Sequence, residues 1–344
     1  MESSAAKLQT IPGETMAATA GNTYLGTELE RRRERLLAAS QLTGDDPGIR
    51  SLLASVDAAL GRLQQGTFGI CEVCHESIEP ERLLCDPLVR VCLDHLSHDE
   101  QRALEHDLAL AASMQRALLP RENWSVKNWL ARYHYQPASL VSGDYCDLIE
   151  IESADGAFLF LLGDVAGKGV AASMLMSHLH ATFRALAGQN LPLQTMVAHA
   201  NRLFCESTTA GQFATLIVGR AWPNGKVEYA SAGHLPLLHV SSNGVTSKEA
   251  TGMPLGMFCG SEFPVCHLDL AAGDSLILYT DGLTEIFNDA GDEYGINRVR
   301  TLATTFCCEN PDEMLAGYLE AVREFSHATK RADDMTLLVL RRTN

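Results

Sequence analysis

Four short acidic motifs in the second half of the chain carry side chains that could do chemistry. They are SGDYCD at 142–147, GDVAGKG at 163–169, YTDGLTE at 279–285 and RADDMTLLVL at 331–340. In three of them an aspartate borders an apolar run typical of a strand, as Asp164 follows FLFLLG. One such aspartate is most often a turn residue, but clustered carboxylates repel one another unless a cation lies among them. Oxygen ligands of this kind favour Mg²⁺ or Mn²⁺ over zinc.

Glycines stand beside three of these aspartates, Asp144, Asp164 and Asp281. A residue without a side chain there would let backbone and substrate approach closely. The motif GDVAGKG resembles a nucleotide-binding loop only superficially, because it lacks the P-loop spacing and the closing Lys-Ser/Thr pair. We therefore interpret the motifs as a divalent-cation site rather than a nucleotide site.

A second group of ligand-type residues lies in the first third of the chain. Cys71 and Cys74 form one close pair, and Cys92 and His95 form another after 17 intervening residues. Two such pairs can supply the tetrahedral thiolate and imidazole ligands of a zinc ion. Because protein ligands fill all four positions, we expect one structural Zn²⁺ and no catalysis there. Cys85 lies between the pairs, and we interpret it as a buried thiol.

Composition limits the other functions. The chain has 27 basic and 43 acidic side chains, and both halves are acidic, so nonspecific binding to nucleic acid phosphates is not expected. The first twenty residues lack the apolar core of a signal peptide, and no stretch approaches the ~18 apolar residues of a membrane helix. The cysteines outside the zinc spacing follow no disulfide framework. We expect a cytoplasmic protein that contacts neither membranes nor nucleic acid.

Hydrophobic periodicity indicates the elements that must position these residues. We expect a disordered N-terminus at 1–22, a helical hairpin at 23–65, a zinc finger at 66–96, a linker helix at 97–120 and a catalytic domain at 121–344.

The ends of the predicted helices have recognisable signals. The turn TGDDPG separates the two arms of the hairpin, and its Pro47 can open the second helix. Asp45 and Asp46 at this tip are interpreted as turn residues, since aspartate favours turns regardless of function. Ser97 and Glu100 have the spacing of a capping box at the start of the linker helix.

The catalytic part is predicted to mix strands and helices. Strand-like runs lie at 158–163, 213–221, 226–240, 275–280 and 335–341, and helical stretches lie at 170–187, 193–208 and 311–327. Helices clustered between blocks of strands favour an α+β layered domain over alternating βαβ units.

The order and wording of the acidic motifs closely resemble the RsbU/SpoIIE branch of the PPM phosphatases. The likeness runs from about 109 to 342 and includes AGHLPLLHV at 232–240 and GMPLGMF at 252–258. It implies an αββα sandwich with two Mn²⁺ or Mg²⁺ ions between the sheets. It also implies hydrolysis of phosphoserine or phosphothreonine on a signalling protein, such as an anti-sigma-factor antagonist, without a covalent phosphoenzyme.

Position by position, the resemblance assigns a set of metal ligands. Asp164 matches the ligand that bridges both metals, and the carbonyl of Val165 matches the adjacent backbone ligand. Asp281 and Asp333 match the carboxylates of the first metal. Asp144 matches the acidic residue beside the second metal, acting directly or through water.

Further residues are expected to support this centre. Asp334 occupies a position that is often asparagine in the family, and we expect it to lie behind the ligands. His234 and Lys168 are candidate auxiliaries, for which a structural histidine and a solvated lysine are the alternatives. Ser142 departs from the family pattern, where glycine is usual.

The segment GTFGICEVCHESIEPERLLCDPLVRVCLDH at 66–95 resembles the DksA/TraR zinc fingers. The fourth ligand in that family is commonly cysteine, whereas His95 stands here. This leaves a transcription regulator that binds RNA polymerase as one alternative, and a noncatalytic phosphatase scaffold as another. The short hairpin, with arms of roughly 27 Å at the helical rise, disfavours the first. The complete set of aspartates disfavours the second.

The linker helix carries a wide apolar stripe, formed by Leu104, Leu108, Ala111, Ala112, Met114, Gln115, Leu118 and Leu119. No Gly/Ser-rich segment separates it from the catalytic domain. The stripe either packs on that domain or pairs with a second copy of itself. We expect a homodimer through 97–119, through which the zinc module regulates the phosphatase.

Overall fold

The computed structural model describes residues 12–43, 46–151, 155–209, 211–307, 309–326 and 333–343, with the backbone alone at 12–24, 42–43, 81, 84 and 85. Two compact units divide between Glu105 and His106. The predictions for residues 1–11, for Asp45 and for the Cys85 side chain lie outside the described part.

The first unit is a helical hairpin joined to a small zinc-finger fold. Its elements are α1 (Pro12–Thr43), α2 (Pro47–Gln64), α3 (Pro80–Cys85) and a 3₁₀ turn at Leu93–His95. Leu29 of α1 and Val56 of α2 are fully buried in one apolar cluster that also takes in Phe68 and Ile78. The hairpin and the finger therefore share a core.

Helix α1 begins at Pro12, inside the range 1–22 for which the sequence predicts disorder. Proline is favoured at a first helical position because it has no N–H to satisfy, and the alanines that follow are strong helix formers. The second helix begins at Pro47 as predicted, and Asp46 caps it by accepting from the amides of Gly48 (2.7 Å) and Ile49 (3.3 Å).

Helix α4 (His98–Leu118) includes residues of both units. The predicted capping box is confirmed, because the Ser97 amide donates to Glu100 Oε2 (2.9 Å) and the Glu100 amide donates to Ser97 Oγ (3.3 Å). Neither α4 nor any other helix in the described ranges is long and apolar enough to cross a membrane.

The second unit contains the remaining elements. In chain order they are β1 (Ser125–Val126), β2 (Trp129–Gln136), β3 (Asp144–Glu150), β4 (Phe158–Val165), α5 (Gly169–Ala187), α6 (Leu193–Ser207), β5 (Ala214–Ala221), β6 (Lys226–Ala232), β7 (Leu237–Ser241), β8 (Gly244–Lys248), β9 (Cys266–Asp269), β10 (Ser275–Tyr279), α7 (Asp281–Thr284), α8 (Gly295–Thr305), α9 (Pro311–Phe325) and β11 (Met335–Arg342).

These strands form two antiparallel sheets, ordered β1-β2-β11-β10-β7-β8 and β3-β4-β5-β6-β9. Side chains of both sheets, among them Trp129, Phe158 and Leu278, fill the layer between them. Helices α5 and α6 cover the outer face of the five-stranded sheet, and α8 and α9 cover that of the other. The predicted αββα sandwich is thus confirmed.

One predicted strand is divided in the structure. The apolar run 226–240 forms β6 in one sheet and β7 in the other. Between them Gly233 has a φ of 64° and lies against Pro254, where a side chain would not fit. Periodicity could not show the division, because both halves have apolar faces directed at the same core.

Candidate metal centres

The two sheets bring the predicted acidic ligands to one edge of the sandwich. In the five-stranded sheet Asp144 at the start of β3 is directly opposite Asp164 near the end of β4. In the other sheet β10 and β11 are antiparallel neighbours, with Tyr279 opposite Leu337. The segments that follow β10 and precede β11 therefore lie together, and they carry Asp281 and Asp333.

Asp144 joins the two sheets. Its side chain is 1% exposed, and its Oδ2 accepts from the hydroxyls of Thr280 (3.0 Å) and Thr336 (2.5 Å), which belong to the opposite sheet. The Thr336 amide in turn donates to Thr280 Oγ1 (2.9 Å). Asp144 Oδ1 is buried and has no hydrogen-bond partner among the described residues. A buried carboxylate oxygen of this kind is costly unless something binds it.

Sequence reasoning missed the two threonines. Each lies within two residues of a predicted aspartate, in YTDG and in DDMT. That proximity was the available signal, but a threonine beside a turn has many other uses.

Asp334 holds the loop before β3. Its Oδ1 accepts from the amide of Ala138 (2.7 Å) and its Oδ2 from the amide of Gly143 (2.9 Å). Gly143 also allows a close approach, because a Cβ there would lie 3.0 Å from the Val165 carbonyl oxygen and 3.5 Å from Asp164 Oδ1. Both carboxylate oxygens of Asp334 are therefore used in positioning backbone.

Ser142 is connected to helix α4 by Gln115, a residue that sequence analysis placed only in an apolar stripe. Gln115 Nε2 donates to the Ser142 carbonyl oxygen (2.7 Å), and the Ser142 amide donates to Gln115 Oε1 (3.0 Å). Both residues are buried. Ser142 Oγ accepts from the Asp144 amide (3.0 Å), so the serine at this position is part of the hydrogen bonding around Asp144.

His234 connects the sheets a short distance from the aspartates. Its Nε2 lies 3.1 Å from the Tyr279 carbonyl oxygen and its Nδ1 lies 2.8 Å from Thr215 Oγ1. A carbonyl can only accept, so we assign the proton to Nε2 and the accepting role to Nδ1. Burial lowers the pKa of His234 to about 4. The imidazole is therefore neutral near pH 7, and its contacts are those of a structural histidine.

Burial and mutual repulsion shift the acidic residues toward their protonated forms. Burial raises the pKa of Asp164 to about 7, and the charges of Asp281, Asp333 and Asp334 add to the effect. Burial, followed by the charge of Asp164, raises the pKa of Asp144 well above its usual range. Such shifts are those of carboxylates without enough compensating charge.

The acidic group fits divalent cations in its chemistry. It offers hard oxygen donors, excess negative charge and a buried oxygen without a hydrogen-bond partner among the described residues. The carboxylates do not form a compact ligand cluster. In the part of the chain that the structure describes, only the zinc-type group has three or more ligand atoms all within 4.8 Å of one another.

The zinc-type group is assembled as predicted from Cys71, Cys74, Cys92 and His95. Cys92 Sγ lies 3.8 Å from Cys74 Sγ and 3.1 Å from His95 Nδ1. Burial tends to raise the pKa of Cys71, but backbone amides of Cys74, Cys92 and Val73 outweigh it and lower that pKa to about 6. Two thiols and the imidazole thus surround a thiol that ionises more readily than usual, which suits a tetrahedral zinc ion.

The sandwich with acidic residues at the edge between its sheets defines the PP2C class of phosphatase folds. The SiaA-PP2C domain of Pseudomonas aeruginosa has this fold, with a TM-score of 0.60 and 19% identity, covering 71% of this chain and 98% of that domain. The chain belongs to the SpoIIE family: the model described as Stage II sporulation protein E (SpoIIE) matches residues 154–343. The prokaryotic dksA/traR C4-type zinc finger matches residues 66–94, which stops just before His95.

Two curated relatives are each 26% identical to this chain over the aligned residues. Phosphoserine phosphatase RsbU of Bacillus subtilis is 26% identical over 251 residues, which is 70% of this chain and 72% of RsbU. Protein IcfG of Synechocystis is 26% identical over 271 residues, which is 69% of this chain. The chain covers only 41% of the length of IcfG.

Proposed function

We propose that this protein is a metal-dependent protein serine/threonine phosphatase. The observation that carries the proposal is the environment of Asp144, which is buried between the sheets and opposite Asp164. In the part of the chain that the structure describes, one of its oxygens has no hydrogen-bond partner. Similarity to the phosphoserine phosphatase RsbU supports the same reaction. The substrate class is a phosphorylated signalling protein, of which an anti-sigma-factor antagonist is the example we favour.

The acidic residues would hold two Mn²⁺ or Mg²⁺ ions. We assign Asp164 to the shared position with the Val165 carbonyl as the adjacent backbone ligand, Asp281 and Asp333 to one ion, and Asp144, directly or through water, to the other. When bound, such ions supply Lewis-acid activation of a water and neutralise charge on the phosphoryl group.

The remaining residues position these ligands. Thr280 and Thr336 fix one oxygen of Asp144, and the other has no hydrogen-bond partner among the described residues. Asp334 holds the loop that carries Gly143, and we assign it a supporting role because its oxygens are already used. His234 is likewise assigned a structural role, since it stays neutral and connects β10 to β5.

The finger at 66–96 would hold one structural Zn²⁺ through Cys71, Cys74, Cys92 and His95. Its part in function is regulatory in our proposal, since four protein ligands leave no open position for catalysis. The proposed route is helix α4, which we expect to form a homodimer over 97–119. Exposed apolar side chains on that helix, Leu104, Leu110 and Met114, support this pairing.

The test is hydrolysis of p-nitrophenyl phosphate and of a phosphoserine peptide by the full-length protein, with and without Mn²⁺. We expect turnover that requires Mn²⁺ or Mg²⁺, stops with EDTA and is lost in Asp281→Asn. Asp269→Asn is the matched control, because Asp269 is exposed and pairs with Lys226, at the other end of the five-stranded sheet. Turnover that persists in Asp281→Asn, or no turnover with either ion, would contradict the proposal.

A further inference from the structure

Lys168 is a basic residue that the backbone places at the acidic edge. It directly precedes helix α5, between Gly167 (φ 106°) and Gly169 (φ 73°). Neither glycine has an atom within 4 Å of where its Cβ would be, so the left-handed backbone rather than packing accounts for glycine there. This conformation brings the Lys168 ammonium to within 2.9 Å of Asp333 Oδ2.

The ammonium acts on several of the proposed metal ligands at once. Its hydrogen bond with Asp333 raises the pKa of Lys168, and the charges of Asp333, Asp334 and Asp281 contribute further. The positive charge of Lys168 in turn limits the rise in the pKa of Asp164. Lys168 therefore supplies part of the positive charge that the acidic site lacks.

The ion pair between Lys168 and Asp333 is exposed, so the lysine can change partners at little cost in stability. The lysine side chain is 63% exposed, and the side chain of Asp333 is 33% exposed. Arg184 and Asp147 show the contrast, with two hydrogen bonds of 2.8 and 2.6 Å to a fully buried carboxylate. Exposed ion pairs contribute little to stability, and a lysine ammonium can rotate to a new partner on its flexible stem.

The geometry points to a second role for Lys168: its ammonium is held on Asp333 in the metal-free protein, and is released to bind the substrate phosphate when a divalent cation takes that carboxylate. This inference rests on the proposed phosphatase function. Once Asp333 is engaged, Lys168 remains at the edge of the site. It also lies at the N-terminus of the 19-residue helix α5, where anions are favoured.

The proposal predicts that Lys168→Gln changes the affinities for Mn²⁺ and for phosphate in opposite directions. Removal of the competing ammonium should tighten Mn²⁺ binding by about two- to fivefold in protein that holds zinc in the finger but no Mn²⁺ or Mg²⁺. Loss of a charge-assisted contact should weaken binding of inorganic phosphate to the Mn²⁺-loaded protein by about tenfold. Isothermal titration calorimetry with Mn²⁺ and with phosphate measures both. Lys168→Arg keeps the charge and should restore phosphate binding.

Lys226→Gln is the matched control. It removes the same charge from an exposed position at the start of β6. The adjacent Val227 pairs with Ala221 of β5, and Ala221 pairs with Phe158 at the start of β4, whereas Asp164 lies near the end of β4. Neither affinity should change in that variant. Unchanged or weaker Mn²⁺ binding in Lys168→Gln, or unchanged phosphate binding, would overturn the inference even if the wild type is an active phosphatase. If the wild type neither binds Mn²⁺ nor hydrolyses phosphate esters, the proposed function fails as well.

Discussion

Asp164→Asn should stabilise the metal-free protein at alkaline pH while it abolishes phosphatase activity. The folded state raises the pKa of Asp164 from 3.8 to about 7, first through burial and then through its acidic neighbours. The folded protein therefore binds this proton more tightly than the unfolded chain does. The contribution of this tighter proton binding to the free energy of unfolding is fully present below pH 3.8 and is lost as the pH rises toward 7.

The size of the effect follows from the shift. One pKa unit corresponds to about 1.4 kcal/mol, so a shift of this size is worth about 4 kcal/mol between acidic and alkaline solution. Asparagine has the same shape as protonated aspartate and does not ionise. Asp164→Asn should thus recover about 2–4 kcal/mol of the free energy of unfolding at pH 8, and little at pH 4. The substitution should also lower the pKa of Asp144, because the charge of Asp164 contributes to raising it.

The assay is urea unfolding of the wild type, Asp164→Asn and the control Asp269→Asn at pH 5 and pH 8, with EDTA and with Mn²⁺. Without metal, the difference between variant and wild type should grow with pH, and the control should match the wild type. Excess Mn²⁺ should stabilise the wild type by mass action and Asp164→Asn much less. The reasoning is refuted if metal-free Asp164→Asn is less stable than the wild type at pH 8, or if Mn²⁺ stabilises both equally.

Three further predictions concern zinc, the α4 contact and assembly. One zinc per chain should copurify with the protein by atomic absorption, and Cys74→Ser should lose it and destabilise the finger, because zinc binding supplies much of the folding free energy of such modules. Gln115→Met should cost about 1–3 kcal/mol in urea unfolding, since it leaves buried backbone groups unpaired, whereas Gln189→Met at an exposed position should be neutral. The double variant Leu108→Glu and Met114→Glu should sediment as a monomer with altered activity if α4 pairs two copies; a monomeric wild type at micromolar concentration would rule out that pairing.

The meeting of the two cysteine and histidine pairs and the strand ends marked by aspartate could be predicted from sequence because they depend on local spacing. A structural zinc site is encoded by two close pairs, and Cys71, Cys74, Cys92 and His95 do meet. Likewise an apolar run that ends in aspartate marks the end of a strand, as at Asp164 after β4. In the same way Pro47 and the Ser97–Glu100 pair mark helix starts through contacts within a few residues.

Features that depend on which sheet a strand joins were decided only by the tertiary structure. Thr280 and Thr336 reach Asp144 across 136 and 192 residues of sequence, because β10 and β11 lie in the sheet opposite β3. The ion pair of Lys168 and Asp333 likewise joins distant segments. No local pattern reports such contacts, since a threonine or lysine beside a turn has the same sequence signal whether it faces solvent or another sheet. The sequence determined which residues could act as ligands, and the packing of two sheets decided what supports each of them.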